Sequence, residues 1–259
     1  MFENPVKEKL ARGEVAWGAS AVVSDAFANQ LVISTGVDFL WIDTEHCPFG
    51  PEDVGLTPVM ARKSNCMPMI RVAGLDSNLI KKSLDAGAMS IMVPQVNNAD
   101  EARAAVRAAK YPPEGTRGVS PLWTFHAGVS WDDYLPRANQ EVCMVLQIES
   151  VEGMENIEAI AAVDGADVLF AGPADLSAAL GVIGQMKHPK LKTFLEEFPK
   201  RVAATGKAAG ISVGSLEAAK ESFQQGYRFI SIGNLLFSGL TGLTRDLKEL
   251  KAFATGGVA

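Results

Sequence analysis

The feature that most constrains the fold is an alternation. Short apolar runs rich in Val, Ile and Phe recur along the chain, and each precedes a longer segment with helical spacing. The strand-like runs are 15–22, 38–43, 68–72, 90–94, 142–149, 167–171, 208–213 and 229–232. The helical segments behind them are 25–34, 51–62, 77–85, 99–109, 153–162, 189–205, 216–225 and 240–253. Runs that are apolar throughout, not only at every second position, suit strands buried on both faces, as parallel strands covered by helices are. Eight such units in 259 residues are the size of a closed barrel. The expectation is therefore an α/β chain forming a single (β/α)8 TIM barrel over residues 1–259.

Local signals agree. Four of the helical segments end in Gly before the next run (TGVDF, AGAMS, TGKAA, QGYRF), and Gly accepts the left-handed conformation that turns a chain out of a helix. No G-x-G-x-x-G follows the first run and no Walker A loop is present, which argues against a doubly wound nucleotide-binding sheet. One long stretch, 111–133, is broken by Pro and Gly yet carries Trp123, Phe125 and Trp131. Its length and aromatic content predict an ordered lid.

Acidic residues number 30 against 24 Lys plus Arg, a formal charge of −6, which excludes a general nucleic-acid binder. The opening stretch MFENPVKEKLARGE lacks the apolar centre of a signal peptide, and no apolar run reaches the roughly 18 residues of a membrane span. Cys47, Cys66 and Cys143 are an odd number without C-x-x-C spacing, so neither a disulfide framework nor a cysteine zinc site is indicated. Cys47 is expected to be a wall residue and not a nucleophile. Together these features predict a cytoplasmic protein without a membrane partner.

In a closed barrel the loops at the carboxyl ends of the strands converge on one axis, so polar residues there should form a reaction set. The second run ends in Asp43, Thr44, Glu45 and His46; the third ends at Arg71; the fourth closes with Pro94 and Gln95. The fifth supplies Gln147 and Glu149, and Asp175 follows the sixth in AGPADLS. Two carboxylates on adjacent strand ends, Glu149 and Asp175, suit a hard divalent cation such as Mg2+ or Mn2+. Taken singly, each acid equally suits a helix cap or a partner for Arg. Asp43 bonded to one ring nitrogen of His46 would fix its tautomer and raise the basicity of the other, giving a general acid–base pair. Arg71 suits a substrate carboxylate or an enolate oxygen, and equally a structural salt bridge to a rim carboxylate. The helix start after Gly172 offers the N–H groups of Ala174 and Asp175 to an anion. The loops after the seventh and eighth runs, 213–215 and 233–234, raise a rival anion site, although two tight turns are the preferred reading there.

At these motifs the sequence resembles the HpcH/HpaI aldolase family of class II, pyruvate-dependent aldolases. The matching stretches are WIDTEHCP at 41–48, PMIRV at 68–72, YPPEGTRGVS at 111–120, VLQIES at 145–150 and FAGPADLSAALG at 170–181. The likeness runs in order along most of the chain and weakens after about residue 235. It implies that Glu149 and Asp175 bind a divalent cation (Mg2+ or Mn2+, with Co2+ a third candidate), on which pyruvate chelates. It further implies that Gly172, Ala174 and Asp175 receive the pyruvate carboxylate and that Arg71 stabilises the enolate. His46, oriented by Asp43, is the implied acid–base, with a water on the metal as the alternative. Glu45 and Gln147 are implied to support the ligands and their waters. The implied reaction is reversible cleavage of a 4-hydroxy-2-oxo acid into pyruvate and an aldehyde. The resemblance also implies a homo-oligomer, a hexamer, in which the C-terminal helix is exchanged between subunits; the amphipathic 235–253 segment equally suits a last barrel helix.

Two departures bear on the aldehyde. Ser20 stands where some relatives carry a bulky aromatic residue, and PLWTFHAGVSWDDYL lacks the arginines of some diacid-specific relatives. A long diacid semialdehyde is thereby less expected, and a smaller or more apolar aldehyde suits the site at least as well. The competing functions are a CoA-thioester lyase of the citramalyl-CoA type, for which Lys81, Lys82 and Arg103 look like ordinary helix surface, and a non-catalytic barrel binding a phosphorylated metabolite.

Overall fold

A computed structural model describes residues 3–254, so residues 1–2 and 255–259 of the expected domain lie outside the described residues. Eight parallel strands close into a barrel in sequence order: β1 Ala16–Ala21, β2 Phe39–Asp43, β3 Met67–Arg71, β4 Ser90–Val93, β5 Cys143–Ile148, β6 Val168–Ala171, β7 Ala208–Ser212 and β8 Phe229–Asn234. The closing pair is β8 with β1, with Ala16 opposite Phe229. The expected (β/α)8 barrel is the fold.

Strand alternation explains both the core and the site. Successive side chains point to opposite faces. On one face Leu40, Ile42, Ile70, Ile91, Leu146, Ile148 and Leu169 pack against the surrounding helices. On the other, Phe39, Trp41, Met67, Met69, Met92, Cys143, Val145, Val168, Phe170 and Phe229 fill the barrel. Ring contacts between non-adjacent strands prove the inward direction: Phe170 lies edge-on to Phe229 at 6.3 Å and to Trp41 at 5.5 Å. Phe39 stacks on Phe229 at 4.0 Å, in space that Gly18 leaves open; a Cβ there would sit 2.2 Å from the Phe39 ring. The next inward positions towards the carboxyl ends are Asp43, Arg71 and Gln147, and Glu149 follows one residue beyond β5. The pleat that fills the interior with apolar groups therefore delivers the polar set to its mouth.

Between the strands run α2 Ala26–Ser34, α3 Thr57–Lys63, α4 Ser77–Asp85, α5 Ala99–Ala109, α11 Pro189–Ala203 and α12 Leu216–Gln225, while α1 Pro5–Ala11 caps the opposite end through Val6. The side chains of Asp25, Asp76, Asn98 and Ser215 accept the first free N–H groups of α2, α4, α5 and α12. Gly87 and Gly226 lie at φ 109° and 112°, as their turns demand. Three segments differ from their sequence expectation. Residues 51–62 are helical only from Thr57, and 153–162 divides into α8 Val151–Glu155 and α9 Ile157–Ala161. Stretch 111–133 contains α6 Trp123–Ala127 and enters α7 Trp131–Glu141, a helix the Pro136 within it hides from a sequence pattern.

That stretch is ordered, but it is not seated over the mouth of its own barrel. Trp123 is buried beneath the Arg62 guanidinium, 3.8 Å from the ring centroid, and edge-on to Tyr134. Arg62 in turn donates to the carbonyls of Gly87 and Ala88, which lead into the amino end of β4. Trp123, with Tyr111, Tyr134 and Val59, builds a satellite core at the barrel end remote from the site, while Phe125 and Trp131 stay exposed.

The final helix, α13 Leu235–Ala254, begins directly after β8 and has no buried residue. Leu236, Leu240, Leu243, Leu247 and Leu250 recur at helical spacing, all exposed. Among the described residues no helix is long and apolar enough to cross a membrane.

Candidate active site

Register places the polar groups of neighbouring strands side by side. Asp43 is opposite Arg71, and Gln147 is opposite Phe170, whose chain continues into Gly172. The Arg71 guanidinium is buried and donates from Nε to Asp43 Oδ1 at 2.9 Å and from Nη2 to Asp43 Oδ2 at 2.7 Å. Its Nη1 lies 2.9 Å from Glu45 Oε2, an ion pair whose angle falls short of a hydrogen bond. Burial pushes the Asp43 carboxyl up, but the Arg71 hydrogen bonds and charge outweigh it and hold the group below its usual range. Glu45, also desolvated, is raised despite the pull of Arg71.

The expected Asp43–His46 pair is not formed, because both Asp43 oxygens face Arg71. The His46 ring is largely exposed at the rim, with Nε2 3.5 Å from Glu45 Oε2. Asp43 therefore serves Arg71, and the carboxylate beside the imidazole is Glu45. Cys47 lies next to Asp43; burial and that negative charge push its thiol up, the reverse of an activated nucleophile.

Glu149 is buried and doubly gripped. The Gln95 N–H donates to its Oε1 at 2.8 Å, and the Gln147 amide donates to its Oε2. Gln95 is one of two non-glycine residues described in the left-handed region, at φ 52°, and this aims its N–H inward. Backbone strain of that kind costs on the order of 1–3 kcal/mol and is concentrated at functional sites. Burial, followed by the charges of Asp175 and Glu45, pushes the Glu149 carboxyl up to about 7. Asp175 is exposed in the first turn of α10 Pro173–Ala179. There Ala174 and Asp175 present N–H groups without intrahelical acceptors, and Pro173 has none to present. Gly172 closes the arrangement: a Cβ on it would lie 2.7 Å from Glu149 Oε2 and 2.8 Å from Gln147 Nε2.

Four carboxylates and one guanidinium thus meet at this rim, and Arg71 is spent on Asp43 and Glu45. The remaining acid pair, Glu149 with Asp175, lacks a positive partner and offers only oxygen donors, which fits a hard divalent cation. Among the described residues no three His, Cys, Asp or Glu side chains cluster as metal ligands. Two carboxylates with open positions for substrate oxygens fit a Mg2+-like ion and not a closed zinc cage. The rival site after β7 and β8 is a cavity of about 540 Å³ touching Ser20, Ser212, Gly214, Gly233 and Asn234, and no Lys or Arg lines it. Sequence reasoning missed the Gln95 turn, the tightness at Gly172 and the ring beneath Arg71; none has a signature outside three dimensions.

A family model described as HpcH/HpaI aldolase/citrate lyase matches residues 21–238. The hydroxypyruvate/pyruvate aldolase of Roseobacter denitrificans is 37% identical over 230 residues, covering 88% of this chain and 90% of that protein. The 4-hydroxy-2-oxo-heptane-1,7-dioate aldolase of Escherichia coli is 37% identical over 236 residues, covering 90% and 89%. Among solved structures, an HpcH/HpaI aldolase/citrate lyase family protein from Burkholderia cenocepacia superposes with a TM-score of 0.87 at 32% identity, over 96% of this chain and 99% of that one. With its closed barrel and its acids gathered at the strand ends, the chain belongs to the HpcH/HpaI aldolase/citrate lyase family.

Proposed function

We propose that this protein is a carbon–carbon lyase that reversibly cleaves a 4-hydroxy-2-oxo acid into pyruvate and an aldehyde. The observation that carries the reading is the uncompensated pair Glu149 and Asp175 beside an Arg71 locked by two other carboxylates. A divalent cation held by Glu149 and Asp175, of the Mg2+, Mn2+ or Co2+ kind, would supply Lewis-acid stabilisation of the enolate charge. The remaining chemistry belongs to the chain. Ala174 and Asp175 N–H groups receive the pyruvate carboxylate at Gly172. Arg71, with three of its five N–H groups making no hydrogen bond, donates to the oxygen that becomes the enolate. His46, backed by Glu45, takes the proton from the C4 hydroxyl as the C3–C4 bond breaks; its electron pair passes into the enolate, and a proton then returns to C3. Asp43 holds Arg71, and Gln147 orients Glu149.

The test is ligand-dependent stability. Pyruvate with Mn2+ or Mg2+ at 100 times its Kd should stabilise by about 2.7 kcal/mol, several degrees in Tm, and pyruvate with EDTA should not. A shift with phosphosugars and no metal would favour the phosphorylated-metabolite binder instead.

We further propose a homo-oligomer, a hexamer, in which the unpartnered leucine face of α13 is exchanged onto a neighbouring subunit. Leu243→Asp with Leu247→Asp should lower the oligomeric state in sedimentation. Residues 1–259 are read as one barrel domain, and three free cysteines suit a reducing cytoplasm.

A further inference from the structure

We propose that Trp41 is a positioning residue for Arg71, its indole face fixing the tilt of the guanidinium; this rests on the enolate role assigned to Arg71 above. Trp41 is the last apolar inward position of β2, two residues before Asp43, and is buried. The Arg71 Cζ lies over its ring, 4.6 Å from the centroid. Phe170 holds the indole from the side, edge-on at 5.5 Å and 74°. The guanidinium is thus constrained in two independent ways. Asp43 fixes its position within its own plane through two N–H groups, and Glu45 adds an ion pair at Nη1. Alone they leave the plane free to rock about the line of those contacts, and the π face below removes that freedom.

The choice of Trp is otherwise unexplained. The indole Nε1 is buried and has no hydrogen-bond partner. An unpaired buried donor disfavours Trp as a filler, and its inward neighbours are Met, Val and Phe. What Trp offers at this level is the most electron-rich face, and the group resting on it is the cation of the site. A tilted Arg71 would still bind carboxylates but would misdirect its remaining N–H groups, so the loss belongs in the chemical step.

The experiment compares Trp41→Phe with Trp41→Leu in the full chain with Mg2+, a diamagnetic ion. Phe keeps a ring face without the indole N–H; Leu keeps neither. Trp41→Leu should lower kcat for pyruvate release about tenfold with KM changed less than about threefold, while Trp41→Phe stays within about threefold of wild type in both. In the same samples the Arg71 Nε–H resonance, assigned through its loss in Arg71→Lys, should carry a ring-current displacement in wild type and Trp41→Phe that Trp41→Leu abolishes. Equal loss of kcat in both variants would reduce Trp41 to a space-filler, and full kcat in Trp41→Leu would also overturn the proposal. If the wild type releases no pyruvate, the aldolase reading fails, and the resonance still decides whether the ring holds Arg71: no displacement in the wild type, or none lost in Trp41→Leu, overturns the proposal.

Discussion

Gly172→Ala places a single methyl group where the structure has no room for it. Gly172 has a negative φ, −97° with ψ 88°, at the edge of the β region, so an alanine there carries only a small conformational penalty. The main effect comes from contact. The new carbon would stand 2.7 Å from Glu149 Oε2, about 0.7 Å inside the 3.4 Å at which ordinary contact begins, and 2.8 Å from Gln147 Nε2. Glu149 has little freedom to yield, because Gln95 N–H holds its other oxygen at 2.8 Å. Metal ligands tolerate displacements of about 0.2 Å, and a misplacement near 1 Å costs roughly 10²-fold in rate. Overpacking of this size costs about 1–3 kcal/mol in stability, a Tm loss of roughly 2–12 °C. Steady-state pyruvate release and Mn2+ titration followed by calorimetry are the assays. The expected result is a kcat loss of about 10²-fold with weakened Mn2+ binding and a folded barrel by circular dichroism. Wild-type kcat in Gly172→Ala would refute the argument, because the acid pair would then not be the reacting centre.

Other consequences follow from the same contacts. The raised Glu149 carboxyl binds a proton in the folded state that the unfolded chain has already released. Metal-free protein should therefore lose stability as pH rises from about 4.5 through about 7, by on the order of 1–2 kcal/mol allowing for solvent at the mouth, and Glu149→Gln should flatten that slope in urea titrations. Asp43→Asn removes the bidentate partner of a buried cation; with Glu45 remaining, about 2 kcal/mol of stability and roughly 10²-fold in kcat should be lost, measurable by denaturation and turnover. Trp123→Ala should cost about 3–5 kcal/mol by the same denaturation assay and leave kcat of the folded protein within about twofold, since the residue packs at the far end of the barrel.

The barrel was legible in the sequence because parallel strands covered by helices must be apolar on both faces, and eight such runs leave few other folds. The rim acids were legible for the same reason: a charge at the end of an apolar strand is conspicuous. What pairs with what was not. Asp43 and His46 are close in sequence, but registry across β2 and β3 brings Arg71 opposite Asp43, and a buried guanidinium competes for a carboxylate more strongly than an exposed imidazole does. Trp123 shows a second limit. An aromatic, glycine-rich stretch reads alike whether it covers a mouth or packs on a helix near the opposite end, and only the burial of Arg62 between Trp123 and the Gly87 carbonyl separates the two. The solitary α13 is a third case, since an amphipathic helix does not declare whether the surface it needs belongs to its own chain.

The central claim is that Glu149 and Asp175 hold a divalent cation on which cleavage of a 4-hydroxy-2-oxo acid depends. The most direct measurement is pyruvate release by protein stripped with EDTA and then supplied with Mn2+ or Mg2+, in the wild type and in Asp175→Asn. The account predicts that stripping abolishes release, that metal restores it in the wild type, and that it fails to restore it in the variant. Undiminished release in EDTA would contradict it.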